Sequence, residues 1–173
     1  MWPVPRKAAL RDLPDIPECD PGAPCPMLVA GEGFVSLLYL LPDPDPDWDG
    51  TTAQTIGFET PDRPVVAIRF DRPHAHLAGA PNEEALAGHP LASAGLHPCG
   101  VFEATGSGWI EHLRRMASVH PRHSDDRFRR LRHLIFTFRD STVEVAADGY
   151  AVVPLGRMSI LDAYRAEIGR LSG

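Results

Sequence analysis

The chain has 173 residues, 43% of them hydrophobic and 23% charged, which is typical of a soluble globular protein with one domain. Its net charge of −6 disfavours a nucleic-acid partner, because such proteins need excess cations facing phosphate. Lys7 is the single lysine and lies in a proline-rich segment, so Schiff-base catalysis is disfavoured, and the absence of GxxxxGK[ST] excludes a P-loop.

Residues 1–26 contain seven prolines, and we predict that they form an extended arm before a single domain over residues 27–173. The arm either wraps the domain or is mobile. The segment lacks the apolar core of a signal peptide, and no apolar run has the length of a membrane-spanning helix, so we expect a cytoplasmic location without membrane association. The candidate anchors of the arm are Trp2, Leu10, Leu13 and Ile16.

Strands are predicted from runs rich in β-branched and aromatic residues. The first two flank a turn at residues 31–33 and are expected to pair. In the fourth, Val66, Ile68 and Phe70 alternate and so share one face. The four strands of the first half are predicted over residues 27–30, 34–41, 53–59 and 64–70.

Residues 71–98 are predicted to be mostly loop. Asn82 is expected to cap a single helical turn that Gly88 ends. A short strand is predicted over residues 99–105.

Three helices are predicted in the second half, over residues 107–120, 124–132 and 159–171. Ser124 and Ser159 are the expected N-caps of the last two. Each long helix has one apolar stripe that is expected to pack inward. The stripes are Trp109, Leu113, Met116 and Val119 in the first helix, and Leu161, Tyr164, Ile168 and Leu171 in the last.

A hairpin is predicted over residues 132–147, with Phe138 opposite Val143 and Phe136 opposite Val145. All apolar partners then share one face. The other face is expected to be offered to solvent or ligands and carries His133, Thr137, Arg139 and Glu144. The order of elements predicts an α+β fold, an antiparallel sheet of about five to seven strands with two or three helices on one face.

The acidic run DPDPDWDG, Asp43 to Gly50, resembles the start of a calcium-binding loop. From Asp45 it matches the first six positions of an EF-hand loop, but the twelfth is Ile56, which cannot bind the ion. We therefore predict a solvated acidic loop, with weak calcium binding as the alternative.

Histidines provide the candidate metal site. His74 and His76 point the same way if their segment is extended, and His89 would be a third ligand of a divalent metal. Glu103, His120 and His123 are further candidates for that third position. No spacing is diagnostic, so structural histidines are the alternative. The cysteines form no CxxC motif and predict no zinc site, although Cys19 and Cys25 could pair across a short loop.

A second histidine group suggests acid–base chemistry. His120, His123 and His133 are expected to lie near Glu144 and to form a catalytic site with it. A serine nucleophile is not predicted, because no GxSxG motif occurs and residues 106–108 are interpreted as a helix cap.

Eight arginines lie between residues 114 and 139, after an acidic first half. Guanidinium groups bind carboxylate and phosphate through paired hydrogen bonds, so this segment predicts a small anionic ligand or an acidic protein partner. A solvated helix face is the alternative. The predicted ligand-binding residues are Arg115, Arg122, Trp109, Arg139 and Thr137.

Several runs of the second half, GHPLASAGL, GVFEA, SGWIEHLRRM, HPRH and RHLIFTFRDSTVEVAADGYAV, resemble a family of bacterial proteins with the pattern RHxxxTFHDSTxE. The resemblance covers about residues 64–153 and implies one fold unit there. The family has no established activity, so the resemblance implies no function. Arg139 stands where the family pattern has histidine.

Three functions remain open from the sequence. The first is a non-catalytic ligand-binding or accessory protein that uses the basic, histidine-bearing segment over residues 112–144. The second is a small metal-assisted or acid–base enzyme. The third is a partner-binding protein of the immunity or antitoxin kind, whose acidic turn mimics an anionic substrate.

Overall fold

The computed structural model describes residues 8–52 and 55–171. It contains two antiparallel sheets, and helices lie on their outer faces, so the α+β class predicted from the sequence is confirmed. The strands are β1 (Ala9–Asp12), β2 (Met27–Gly31), β3 (Phe34–Leu40), β4 (Arg63–Asp71), β5 (Ala75–Gly79), β6 (Val101–Thr105), β7 (Arg132–Thr137), β8 (Thr142–Ala147) and β9 (Gly149–Met158).

The strands divide into a five-stranded sheet of order β1-β6-β7-β8-β5 and a four-stranded sheet of order β2-β3-β4-β9. The helices are α1 (Gly108–Ala117), α2 (Asp126–Arg130) and α3 (Ile160–Leu171), with 3₁₀ helices at Glu83–Gly88 and Ala92–Ala94. In the part of the chain that the structure describes, no helix is long and apolar enough to cross a membrane.

The main core lies between the two sheets. Because side chains alternate along a strand, each sheet turns every second residue toward the other. Val66, Ile68 and Phe70 face inward on β4, as predicted. They meet the apolar face of the β7–β8 hairpin, where the Phe70 and Phe136 rings pack edge to face with their centroids 5.8 Å apart.

The sequence predicts one sheet but two form, and the edge strands β1, β5 and β9 are absent from the prediction. β5 is a short edge strand of sequence AHLAG, which has little β propensity. β9 contains Pro154, and it lies at a sheet edge, where the missing N–H of proline is tolerated. The strand predicted over 53–59 is wrong for residues 55–59, because the chain turns there and Thr60 N–H donates to Gly57 O. Residues 53 and 54 lie outside the described residues.

The β7–β8 hairpin forms with a register that differs from the prediction by two residues. Phe136 pairs with Val143, and Thr137 pairs with Thr142 rather than with Glu144. A shift of two keeps every side chain on its face, so the predicted apolar face is right. The prediction that the other face is open is wrong, because His133, Thr137 and Glu144 are only 0%, 2% and 5% exposed.

The N-terminal arm wraps the domain in its described part. β1 pairs with β6 at the edge of the five-stranded sheet. Leu13, Ile16 and Cys19 are then buried in the core between the sheets. Leu10 is partly buried and packs against a separate apolar cluster that includes Phe102 and Ile135. Trp2, the fourth predicted anchor, lies outside the described residues.

The helices cover the outer sheet faces, and their apolar stripes agree only in part with those predicted. α3 packs on the four-stranded sheet through the buried Ile160, Ala163 and Glu167. Of its predicted stripe, Tyr164 and Leu171 are partly buried against the same cluster, whereas Ile168 is exposed. α1 ends at Ala117, and the predicted inward residues Met116 and Val119 are exposed, since only the first turn of α1 lies against the sheet. The N-caps Asn82 and Ser159 form as predicted, whereas Asp125 occupies the N-cap position of α2.

Candidate functional site

A row of hydrogen-bonded polar side chains crosses the outer face of the five-stranded sheet. Glu144 on β8 is its centre, with Oε1 3.3 Å from Nε2 of His89 and Oε2 2.6 Å from Nε2 of His133 on β7. Nδ1 of His133 lies 2.8 Å from Oγ of Ser107. We call these four residues the polar network. His133 has no exposed surface, and Ser107, at the end of the row, is half-buried.

The hydrogen bonds of the polar network have one consistent direction. Leu91 N–H donates to Nδ1 of His89 at 3.1 Å, so the proton of a neutral His89 lies on Nε2 and is donated to Glu144. The Ser107 hydroxyl donates to Nδ1 of His133, which donates from Nε2 to Glu144. Every donor in the row has an acceptor when Glu144 is ionised and both imidazoles are neutral.

The charge on Glu144 is stabilised within the protein. Burial raises the pKa of Glu144, but the hydrogen bonds from His133 and His89 lower it by more, so the pKa lies below its usual value. The carboxylate is therefore ionised at neutral pH. A buried carboxylate beside an imidazole holds the tautomer of the imidazole and stabilises a proton that it takes up.

Ser107 stands at a sharp junction between a strand and a helix. The chain leaves β6 at Thr105, turns through Gly106 at φ +64° and enters α1 at Gly108. Ser107 is the N-cap of α1, and its Oγ accepts the N–H of Ile110 at 3.2 Å. A strand–turn–helix junction is also how hydrolases with a nucleophile elbow present their serine. The N–H of Gly108 is the first of the helix and has no partner within it.

Trp109 fixes the ring of His133 from the side of α1. It is 4% exposed, and the two ring centroids are 4.9 Å apart at an interplanar angle of 63°. The imidazole is therefore held by ring packing as well as by its two hydrogen bonds. A base that is held in place needs no reorganisation before it accepts a proton.

A cleft of about 630 Å³ opens beside Ser107, between α1 and α2. Ile110, Phe128 and Leu131 form part of its apolar lining. The cleft has the volume of a small-molecule site and brings Ser107 within reach of a ligand. Ion pairs join the charged side chains that line it: Arg114 with Glu111 and Asp125, and Arg132 with Glu103.

The structure brings together two of the four predicted catalytic residues. His133 and Glu144 are in direct contact in the polar network. His120 and His123 lie in the connection between α1 and α2, where His120 accepts the N–H of Arg122. His123 lies 2.7 Å from a carboxylate oxygen of Asp125.

The predicted ligand-binding residues do not share one surface. Arg115, Arg122 and Arg139 are exposed, and Arg139 lies 4.0 Å from Glu83 near the end of the hairpin. Trp109 is buried against His133 as described above. Thr137 is buried as well, donates to His97 O and accepts the N–H of Gly100.

The three histidines of the predicted metal site are separated. Both ring nitrogens of His89 are already hydrogen-bonded, Nε2 to Glu144 and Nδ1 to the N–H of Leu91. His74 packs against Phe128, and His76 is exposed on β5. Over residues 8–52 and 55–171, no group of three or more His, Cys, Asp or Glu side chains is arranged to hold a metal ion.

The acidic run after β3 is an exposed loop. Oδ1 of Asp45 accepts the N–H of Asp47, and Oδ1 of Asp49 accepts the N–H of Thr51, so these carboxylates stabilise turns. Arg157 on β9 binds Asp43 through both carboxylate oxygens. No disulfide joins Cys19, Cys25 or Cys99, and the Cys19 thiol contacts Cys99 rather than Cys25.

Sequence reasoning missed the part that Ser107 takes in the site. Its interpretation as a helix cap is correct, but the same hydroxyl also contacts His133. The available signal was a serine between two glycines, Gly106 and Gly108, after a predicted strand and before a predicted helix. His89 was singled out, but as a metal ligand.

No family model, no curated protein and no solved structure matches this chain. The comparisons therefore add no family, activity or ligand to the geometry of the site.

Proposed function

We propose that this protein is a small acyl-transfer enzyme, a hydrolase of esters or related acyl compounds, in which Ser107 is the nucleophile. The observation that carries the proposal is the unbroken hydrogen-bonded series from Ser107 through His133 to the buried carboxylate of Glu144. This series has the composition of a serine–histidine–carboxylate triad, with the two ring nitrogens exchanged, since Nδ1 of His133 faces the serine and Nε2 faces the carboxylate. It begins at a cleft, where a substrate can reach the hydroxyl.

In this mechanism Ser107 Oγ attacks the acyl carbonyl carbon while its proton passes to Nδ1 of His133. Glu144 stabilises the imidazolium through the hydrogen bond to Nε2. When the tetrahedral adduct breaks down, the proton moves to the leaving group, and water later cleaves the acyl–Ser107 ester by the reverse steps. His133 has no exposed surface. It therefore transfers this proton to and from the reacting groups in the cleft at the position of Ser107 Oγ.

The negative charge of the adduct needs hydrogen-bond donors. The N–H of Gly108 directly follows the nucleophile, as in an oxyanion hole of the nucleophile-elbow type. Its position at the N-terminus of α1 adds the positive end of the helix dipole.

This proposal is the acid–base enzyme that the sequence left as an alternative, with Ser107 and His89 in place of His120 and His123. Binding of an anion by the basic segment is less well supported, because Arg114, Arg129 and Arg132 already form ion pairs with carboxylates. The cytoplasmic location expected from the sequence stays a prediction.

The proposal is tested with a fluorophosphonate, which reacts with activated serines, and with p-nitrophenyl acetate. We expect one phosphonyl group per chain, located at Ser107 by peptide mass spectrometry. Ser107→Asn should abolish both labelling and ester hydrolysis, because asparagine keeps the N-cap acceptor but removes the nucleophile. Circular dichroism should show that this variant stays folded.

Ser159 provides the matched internal control. It also caps a helix and is 6% exposed, but its hydroxyl donates to Asp162 instead of an imidazole. It should remain unlabelled. A folded wild-type protein that reacts at neither serine, or equally at both, would refute the proposal and leave the polar network a structural feature.

A further inference from the structure

The polar network also borders a second cavity, on the side away from Ser107. A cavity of about 490 Å³ lies between β5 and the first 3₁₀ helix, and it shares no lining residue with the cleft beside Ser107. Glu144 and His89 line this cavity. The row of polar side chains thus reaches one open space at Ser107 and another at Glu144.

The remaining walls of this cavity are mainly apolar. They belong to the β5 edge, the segment after it and the first 3₁₀ helix. The apolar lining side chains are Leu77, Ala78, Ala80, Pro81, Ala85 and Pro90. A cavity of this size, with apolar walls and few polar groups, is the usual form of a small-molecule site.

Glu144 is the group that a ligand in this cavity would meet as a hydrogen-bond acceptor. The other polar side chains are engaged, since Thr142 donates to Pro81 O at 2.9 Å and both nitrogens of His89 are hydrogen-bonded, to Glu144 and to the N–H of Leu91. A carboxylate offers about four acceptor positions, and His89 and His133 use two of those on Glu144. Among the residues that the structure describes, no arginine or lysine lines the cavity.

The charge of the groups that line the cavity determines which ligand the cavity favours. A buried carboxylate without a cation in the surrounding wall attracts a positive group, and it disfavours an anion of the same shape. An ammonium group donates to carboxylate in a charge-assisted hydrogen bond, which is stronger than a neutral one. The apolar walls suit a hydrocarbon chain behind that group.

We infer that this cavity binds small hydrophobic amines, with the ammonium group on Glu144 and the hydrocarbon chain against the apolar walls beside Leu77 and Ala85. This binding site does not depend on the nucleophile proposed at Ser107. It requires only the carboxylate of Glu144 and the open space above it.

The test is a titration of the full chain with n-hexylammonium, followed by two-dimensional NMR of backbone amides and by calorimetry. We expect saturable shifts at residues 77–90 and 142–144. Hexan-1-ol should bind about tenfold more weakly or worse, since it lacks the charge, and hexanoate should not bind. Equal binding of hexylammonium and hexanoate, or no saturable binding of hexylammonium, would overturn the inference.

Two variants test separately the charge of Glu144 and the free volume of the cavity. Glu144→Gln should weaken hexylammonium about tenfold or more and leave hexan-1-ol little changed. Ala85→Phe should fill the cavity and abolish binding of both probes while the polar network stays intact. Ala87→Phe is the matched control, because Ala87 is exposed on the same 3₁₀ helix and does not line the cavity.

Hexylammonium binding that survives Ala85→Phe, or that Ala87→Phe weakens equally, would place the ligand elsewhere and refute the site. Ser107→Asn should leave hexylammonium binding unchanged. Loss of phosphonate labelling in that variant therefore tests the proposed enzyme, and amine binding tests this cavity, without one result deciding the other.

Discussion

Two glutamates are buried at the outer faces of the two sheets, and their surroundings differ. Glu167 on α3 accepts hydrogen bonds from Ser36 and from the guanidinium groups of Arg69 and Arg170. Glu144 on β8 contacts two imidazoles, and through one of them a serine hydroxyl. Both carboxylates are at most 5% exposed, so burial alone does not distinguish them.

The difference lies in what the partners can do with a proton. Guanidinium groups stay charged at every accessible pH, so Arg69 and Arg170 fix Glu167 as an anion that ties α3 to the sheet. Imidazoles take up and release protons under ordinary conditions. The polar network around Glu144 can therefore move a proton, whereas the ion pairs around Glu167 can only hold a charge.

The largest expected effect comes from neutralising each glutamate in turn and measuring the reactivity of Ser107. Glu144→Gln removes the charge that stabilises protonated His133, so the rate of phosphonate labelling should fall about a thousandfold or more. Glu167→Gln is the control and should leave that rate within about twofold, because it shares no partner with the polar network. Similar rates in the two variants would show that Glu144, like Glu167, is only structural.

A smaller effect is expected on stability when Glu167 is removed. Glu167→Ala leaves Arg69 and Arg170 without their common partner, and we expect the free energy of unfolding to fall by about 3 kcal/mol in urea titrations. Asp126→Ala breaks an exposed ion pair with Arg129 and should change stability little. A loss for Glu167→Ala that is no larger than for Asp126→Ala would contradict this assignment.

The smallest expected effect is the loss of stability of α3 at low pH. Burial raises the pKa of Glu167, but the hydrogen bonds from Arg69, Arg170 and Ser36 lower it from 4.5 to about 2. Because the folded pKa lies below the unfolded one, the stabilisation is complete above pH 4.5 and is lost as the pH falls toward about 2. The protection factors of the α3 amides, which are corrected for the pH dependence of intrinsic exchange, should therefore fall between pH 4.5 and 3 in the wild type. Glu167→Gln should lack that fall, and an identical fall in both proteins would assign it to other groups.

The sequence predicts the elements that carry a strong local signal. The β2–β3 hairpin, the inward face of β4, the caps Asn82 and Ser159 and the apolar face of the β7–β8 hairpin follow from alternation and capping chemistry. Three edge strands, β1, β5 and β9, are missed, and without them the strands cannot be divided into two sheets. Edge strands depend on pairing with a neighbour more than on their own residues.

The site was only half predictable for a related reason. Alternation places His133 and Glu144 on one face of the hairpin, and so their proximity could be inferred. Whether that face is open depends on what covers it, and the cover comes from residues 83–94 and 107–110, which are distant in sequence. The sequence favours a solvated face for these polar residues, but the face is buried. Glu144 is satisfied by His133 and His89, and Thr137 by His97 and Gly100.

The pairing of β1 with β6 and of β4 with β9 has a consequence for synthesis of the chain on the ribosome. Arg63 pairs with Met158, and Ala9 pairs with Thr105, so neither sheet can be completed from neighbouring segments alone. Such long-range pairing slows folding, because a large loop must close before the contacts form. The inner faces of β3 and β4 are therefore not fully covered until the 76 residues from Arg72 to Ala147, at the end of β8, have been made. During that time only the N-terminal arm, through Leu13, Ile16 and Cys19, is available to cover this apolar surface, and exposed apolar surface of this kind promotes aggregation.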